Sequence, residues 1–158
     1  MDRSKLIDAL RLNKDILTSF IERIPQESVV KRRKDFWTIF EHIEHLTQSQ
    51  VMLYHRIEAF INETKPVIKS FMPDNKPKMD TSKSVKHLLD IFAIWRDKQA
   101  VLISACKEDI WEKKAKHPEY DVYTFETMIY HILAHDGYHM YRMEELWLLK
   151  DEFINPLV

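Results

Sequence analysis

Glycine is almost absent from this sequence: Gly137 is the one example in 158 residues. Tight hairpins rely on residues that tolerate positive φ, so an extensive antiparallel sheet has little from which to make its turns. Cysteine is equally scarce. Cys106 stands alone, which excludes an internal disulfide. It ends a helical segment with no base in its local sequence, and is read as a buried thiol rather than a nucleophile. Long hydrophobic runs are missing too, because charges interrupt even the greasiest stretches, and this excludes a membrane span of about 20 apolar residues. No apolar stretch follows the opening MDRSK as a signal peptide would require, which makes the expected compartment cytoplasmic. Nor is there an excess of either charge. With 24 basic and 25 acidic residues the formal net charge is -1, so no overall field draws the chain to nucleic acid or an acidic membrane. Without a basic stripe or a recognition-helix pattern, nucleic-acid binding is not expected. The run Lys31 to Lys34 is read as a solvated loop.

What is plentiful is Leu, Ile, Lys, Glu and Met, the residues of helices. Apolar periodicity predicts four of them. The first runs from about Ser4 to Ile24, with Leu6, Leu10, Leu17 and Ile21 on one stripe before Pro25. The second opens at Thr38, which stands at capping-box spacing from Glu41, and fades near Asn62. It carries Ile39, Ile43, Leu46, Leu53 and Ile57. The third, about Ser82 to Cys106, carries Leu88, Leu89, Phe92 and Ile103. The fourth, about Thr124 to Leu149, places Phe125, Met128, Ile132, Met143 and Leu146 within one narrow arc. Between them, residues 65 to 80 hold Pro66, Pro73 and Pro77 and form either a flap over a site or a crossover connection. Residues 107 to 121 read as a connection with one short helical turn, and 151 to 158 as an extended tail. No repeat or domain boundary is visible. The simplest architecture is an all-α four-helix bundle in one domain spanning residues 1–158.

The residues that carry chemistry are histidines. His135 and His139 lie four apart on the inward arc of the last helix, so both rings can converge on one ion at about 2.0 to 2.1 Å. The second helix offers His42 and His45 as a third ligand, and periodicity slightly favours His42, which is nearer the centre of its stripe. Three protein ligands with positions left open are the pattern of a catalytic metal site. His131, one turn before His135, is read as a partly exposed helix histidine. Of Asp136, Tyr138, Tyr141 and Arg142, only some can face inward.

Trp37 and Thr38, followed by Glu41, His45 and Leu46 and much later by His135 and His139, resemble the DinB-like superfamily. These are bacterial four-helix-bundle metalloproteins that include the YfiT-like hydrolases. The resemblance spans nearly the whole chain. It implies His45, His135 and His139 as the metal ligands and makes His42 a pocket residue. It also implies one divalent ion per chain, zinc or nickel, and a small-molecule substrate. The implied activity is metal-dependent. One form is an S-transferase acting on a low-molecular-weight thiol such as bacillithiol or mycothiol, and the other is a hydrolase. A metal-stabilised scaffold for stress response or protein interaction is the alternative. Related proteins pair through helix faces, so a homodimer is an expectation. One departure stands out: family members often carry glutamate five residues after the first ligand, where this chain has Gln50.

Overall fold

The computed structural model describes residues 2–71 and 82–155. In chain order its elements are α1 (Arg3–Glu22), α2 (Gln26–Val29), α3 (Ile39–Asn62), α4 (Val85–Ser104), α5 (Glu108–Trp111), β1 (Lys114–Ala115), β2 (Tyr123–Thr124) and α6 (Phe125–Leu148). The four long helices are those that periodicity predicts. The capping box is present as well. Thr38 Oγ1 accepts from the Glu41 amide at 3.2 Å while the Glu41 carboxylate accepts from the Thr38 amide at 2.6 Å. Ser84 and Thr124 cap α4 and α6 through their hydroxyls.

The long helices form a four-helix bundle with a particular order around its axis. α3 packs on α4 and on α6, and α1 packs on the same two, so α1 lies diagonally across from α3. Within the bundle the apolar residues fall into two clusters. One gathers Leu6, Leu10, Leu53, Ile57, Ile103, Phe125 and Ile132. The other gathers Leu17, Ile21, Ile43, Leu46, Phe92 and Met143.

Between the clusters each long helix contributes a polar residue. Asn13 follows Leu10, Gln50 follows Leu46, Arg96 follows Phe92 and Asp136 follows Ile132. Arg96 Nη2 donates to Asp136 Oδ2 at 2.7 Å, and Asn13 Nδ2 donates to the same oxygen at 2.7 Å. Arg96 Nε and Nη2 also donate to Gln50 Oε1, which takes a further bond from Gln99 Nε2. Arg96, Gln99 and Gln50 are fully buried, and Asp136 nearly so. A hydrogen-bonded layer therefore crosses the interior at mid-height.

Three sequence expectations need correction. The connection after α4 contains α5 as its helical turn, but also β1 and β2, which pair antiparallel. Val67 bridges to Lys116 alongside them, through Ile68 N to Lys116 O at 2.8 Å and Lys116 N to Pro66 O at 2.9 Å. Two-residue strands leave no alternation for periodicity to detect. The tail is not extended at its start, because Asp151–Phe153 forms a 3₁₀ turn. Residues 156–158 lie outside the described residues, as do residues 72–80 of the segment read as a flap or crossover. Finally, the basic run is not simply solvated. Arg33 donates to the carbonyls of Leu146 and Leu149 and pairs with Asp151, meeting the unbonded carbonyls at the end of α6. Arg32 pairs with Glu41 at 2.6 Å. Among the described residues no helix is long and apolar enough to cross a membrane.

Two substitutions test this account. Replacing Arg96 by Met leaves the Asp136 carboxylate buried without its cation, and should cost about 3 to 5 kcal/mol, read as a lower denaturation midpoint at unchanged slope. Gly137 is interior to α6, and a Cβ added there meets nothing within 4 Å. Gly137→Ala should therefore stabilise the chain by up to about 1 kcal/mol. A loss of stability on that change would show a constraint at this position beyond helix propensity.

Candidate metal centre

α3 and α6 are neighbours, and their register brings His45 opposite His135 and His139. One ligand atom from each of the three lies within 4.8 Å of the others. His45 Nε2 and His135 Nε2 are 3.1 Å apart. Two nitrogens each about 2.0 to 2.1 Å from one tetrahedral or octahedral ion must be about 3 to 3.5 Å apart, so the observed separation fits a shared ion. Electrostatics point the same way. Burial pushes the His45 imidazole down to about 4, with His135 adding to the shift. His139 is also depressed, by burial first and then by His135, His42 and His45. Both rings are thus held neutral, the form that coordinates metal. Three imidazoles with converging nitrogens are a donor set suited to zinc, nickel or cobalt.

His42 takes a different place. It is buried, and its Nδ1 is 2.8 Å from His139 Nδ1, so one of the two nitrogens donates. If the His139 Nε2 lone pair is used for an ion, its Nδ1–H is the donor and His42 the acceptor. Burial, then Arg142 and His45, push His42 down to about 3, which keeps it an acceptor. Trp37 packs against His42 and His45 at 5.3 Å each and stacks on His139 at 6.3 Å. The tryptophan before the cap is thus the lid of the histidine cluster.

Beside the cluster a cavity of about 520 Å³ opens. Its walls come from several elements: Trp37 before α3, Met52 and Arg56 on α3, Phe71, and Tyr120 before β2. Phe71 stacks on His45 at 6.2 Å, so the described end of the segment read as a flap or a crossover lies against the cluster. His131 is half-buried and lines this cavity, with its ring parallel to His135 at 6.4 Å and its Nδ1 3.4 Å from the Tyr120 hydroxyl. Arg56 donates to the Lys69 carbonyl at 2.6 Å. Burial lowers its pKa, while Tyr123 and Glu119 oppose the shift.

Sequence reasoning did not find Arg56, Phe71 or Tyr120. The last two lie on irregular chain, which the bridge of Val67 to Lys116 carries to the rim, and a bridge of this kind leaves no periodic trace. Of the four residues sharing α6 with the histidines, Asp136 and Arg142 are buried, and Tyr138 and Tyr141 are exposed. Gln50 does not face the cavity, being bound into the polar layer. Cys106 is half-buried, with its thiol pushed up by burial, in keeping with an unreactive group.

An all-α bundle with histidines converging between two of its helices defines a class, and the sequence confirms it. The chain belongs to the DinB superfamily, whose family model matches residues 9–143. Among solved structures the fold is similar to that of YfiT from Bacillus subtilis, described as a probable metal-dependent hydrolase with an unusual four-helix bundle topology. The two agree with a TM-score of 0.78 at 19% identity, over 90% of this chain and 84% of that one. No curated protein matches the chain.

The depressed histidines carry a sign. In the unfolded chain they titrate near 6.5, so between about pH 4 and 6.5 the unfolded state binds more protons and stability rises with pH. The metal-free protein should hold a constant denaturation midpoint above neutrality and lose it as pH falls through that window. A midpoint unchanged from pH 7 to 4 would contradict the buried neutral cluster.

Proposed function

We propose that the chain is a metal-dependent enzyme that activates a small nucleophile, and that the ion is held by His45, His135 and His139. The observation that carries this reading is the convergence of three histidine nitrogens within 4.8 Å at the wall of a 520 Å³ cavity. A structural site would have its ligands closed around the ion, whereas this cluster borders space for a substrate. When bound there, a divalent ion supplies a Lewis acid that favours the deprotonated form of a thiol or of water near neutral pH.

The chain's own residues favour a thiol as the nucleophile. Deprotonating water calls for more help than deprotonating a thiol of pKa near 8.5. Among the described residues, the carboxylates lining the cavity are Asp35 and Glu119, and Glu119 is engaged by the Ser70 hydroxyl. Gln50 is neutral and turned into the polar layer. Trp37, Phe71 and Met52 give the cavity an apolar wall that excludes water around an electrophile. Hydrolysis is the second reading, supported by the fold shared with YfiT. In both, the substrate is a small molecule, and zinc or nickel are the ions that suit the donors.

Purified protein should bind about one ion per chain, and alanine at His45, His135 or His139 should abolish stoichiometric binding. His42→Ala should retain the ion, since that ring sits behind His139. The loaded protein should accelerate attack of a low-molecular-weight thiol (bacillithiol, mycothiol, glutathione or coenzyme A) on an alkyl halide or epoxide, and chelation should remove the acceleration. The enhancement should be largest at or below neutrality, where a free thiol is least ionised. Ester cleavage that scales with metal content and needs no thiol would replace transfer by hydrolysis. Inertness in every assay, with full helicity lost on chelation, would leave the ion as a structural tie in a scaffold.

A further inference from the structure

Asp136 follows His135 directly, yet its carboxylate points into the polar layer. Oδ2 is doubly bonded there, by Arg96 Nη2 and Asn13 Nδ2, each at 2.7 Å. Oδ1 is buried and has no hydrogen-bond partner. His135 Nδ1 is buried and unpartnered too, and the two atoms lie 3.8 Å apart. A buried polar atom left without a bond costs about 1 to 3 kcal/mol. Here two complementary ones adjoin, just beyond hydrogen-bonding distance. His135 Nε2 is occupied on the other side, facing His45 Nε2 at 3.1 Å. The nitrogen turned toward the carboxylate is therefore the one left over when Nε2 serves as a ligand.

From this juxtaposition we infer that Asp136 is the positioning residue for His135, accepting Nδ1–H when Nε2 holds the ion. The inference rests on the metal reading given above and deepens it. A carboxylate behind a ligating imidazole fixes its tautomer and ring plane and makes it a stronger ligand. Asp136 can act so because Arg96 and Asn13 hold it, and Arg96 is itself held by Gln50 Oε1. Two helices that give no ligand, α1 and α4, thereby reach the metal centre through the core. The supports also explain the one-sided bonding of Asp136: Oδ2 is anchored and Oδ1 is kept for the ring.

The competing account is a plain structural ion pair, whose loss would weaken metal binding only by loosening the fold. Zinc affinity, measured by competition with a chromophoric chelator at a temperature where each metal-free variant is folded by circular dichroism, separates the two. Asp136→Asn should weaken zinc by 10- to 100-fold. Gln99→Met, which breaks the same layer without touching Asp136, should lower the melting temperature yet stay within about threefold of wild-type affinity. Equal losses in the two variants, or wild-type affinity in Asp136→Asn, would overturn the inference and leave the metal reading intact. Wild-type protein that takes up no zinc overturns both. Should Asp136→Asn fail to fold, the wild-type chain still decides. With ¹⁵N-labelled histidine and zinc bound, His135 should be the Nδ1–H tautomer with a slowly exchanging proton. Metal on Nδ1, or a rapidly exchanging proton, sinks the proposal.

Discussion

The buried pair of Arg96 and Asp136 is the constraint on which the rest of the bundle turns. Ion pairs taken out of water seldom stabilise a fold relative to well-packed apolar side chains, but they penalise every arrangement that separates the partners. Here the pair is extended by Asn13, Gln50 and Gln99, so all four long helices are tied at one height. Sliding α4 by one turn against α6 would strand a guanidinium and a carboxylate in apolar surroundings. Apolar clusters alone would tolerate such slips far better, since leucine against isoleucine is similar in either register. The layer thus supplies specificity, and the clusters above and below supply the driving force.

That register decides what meets at the surface between α3 and α6. Along these antiparallel helices His42 faces His139 and His45 faces His135, while Arg96 joins Gln50 of the one helix to Asp136 of the other. The histidine cluster and the polar layer are therefore compatible with one and the same alignment of α3 against α6. Trp37 completes it from outside the helix because the capping box of Thr38 and Glu41 fixes the angle at which the chain enters α3.

The bundle was legible because each long helix carries an apolar stripe of regular period and a cap or proline at its ends. Leu6 to Ile21 and Ile39 to Ile57 need no tertiary information to be recognised as such. The pair His135 and His139 was legible for the same reason. Choosing between His42 and His45 was not a matter of period, because both lie within reach of the interior. The structure shows why: both are buried, one beside the cluster's third member and one behind it. The polar layer left a faint trace in Gln50, which falls on the stripe of Leu46 and Leu53 where an apolar residue belongs. Arg96 and Asp136 gave no comparable sign, since a single charge in a helix is ordinarily solvent-facing. The rim from Phe71 to Tyr120 was invisible, being made by chain segments that meet only through a bridge of isolated residues.

The diagonal placement of α1 and α3 also governs the order in which the protein can come into being. Neighbours in sequence are not the partners in the centre. The contacts that assemble it, His42 to His139 and His45 to His135, join positions 97 and 90 residues apart, and Asn13 to Asp136 spans 123. Closures of that span are slow relative to local helix formation. On a ribosome, a chain that has already released α1, α3 and α4 still owns only one histidine of the three. The three-histidine cluster can therefore form only after the last long helix has emerged.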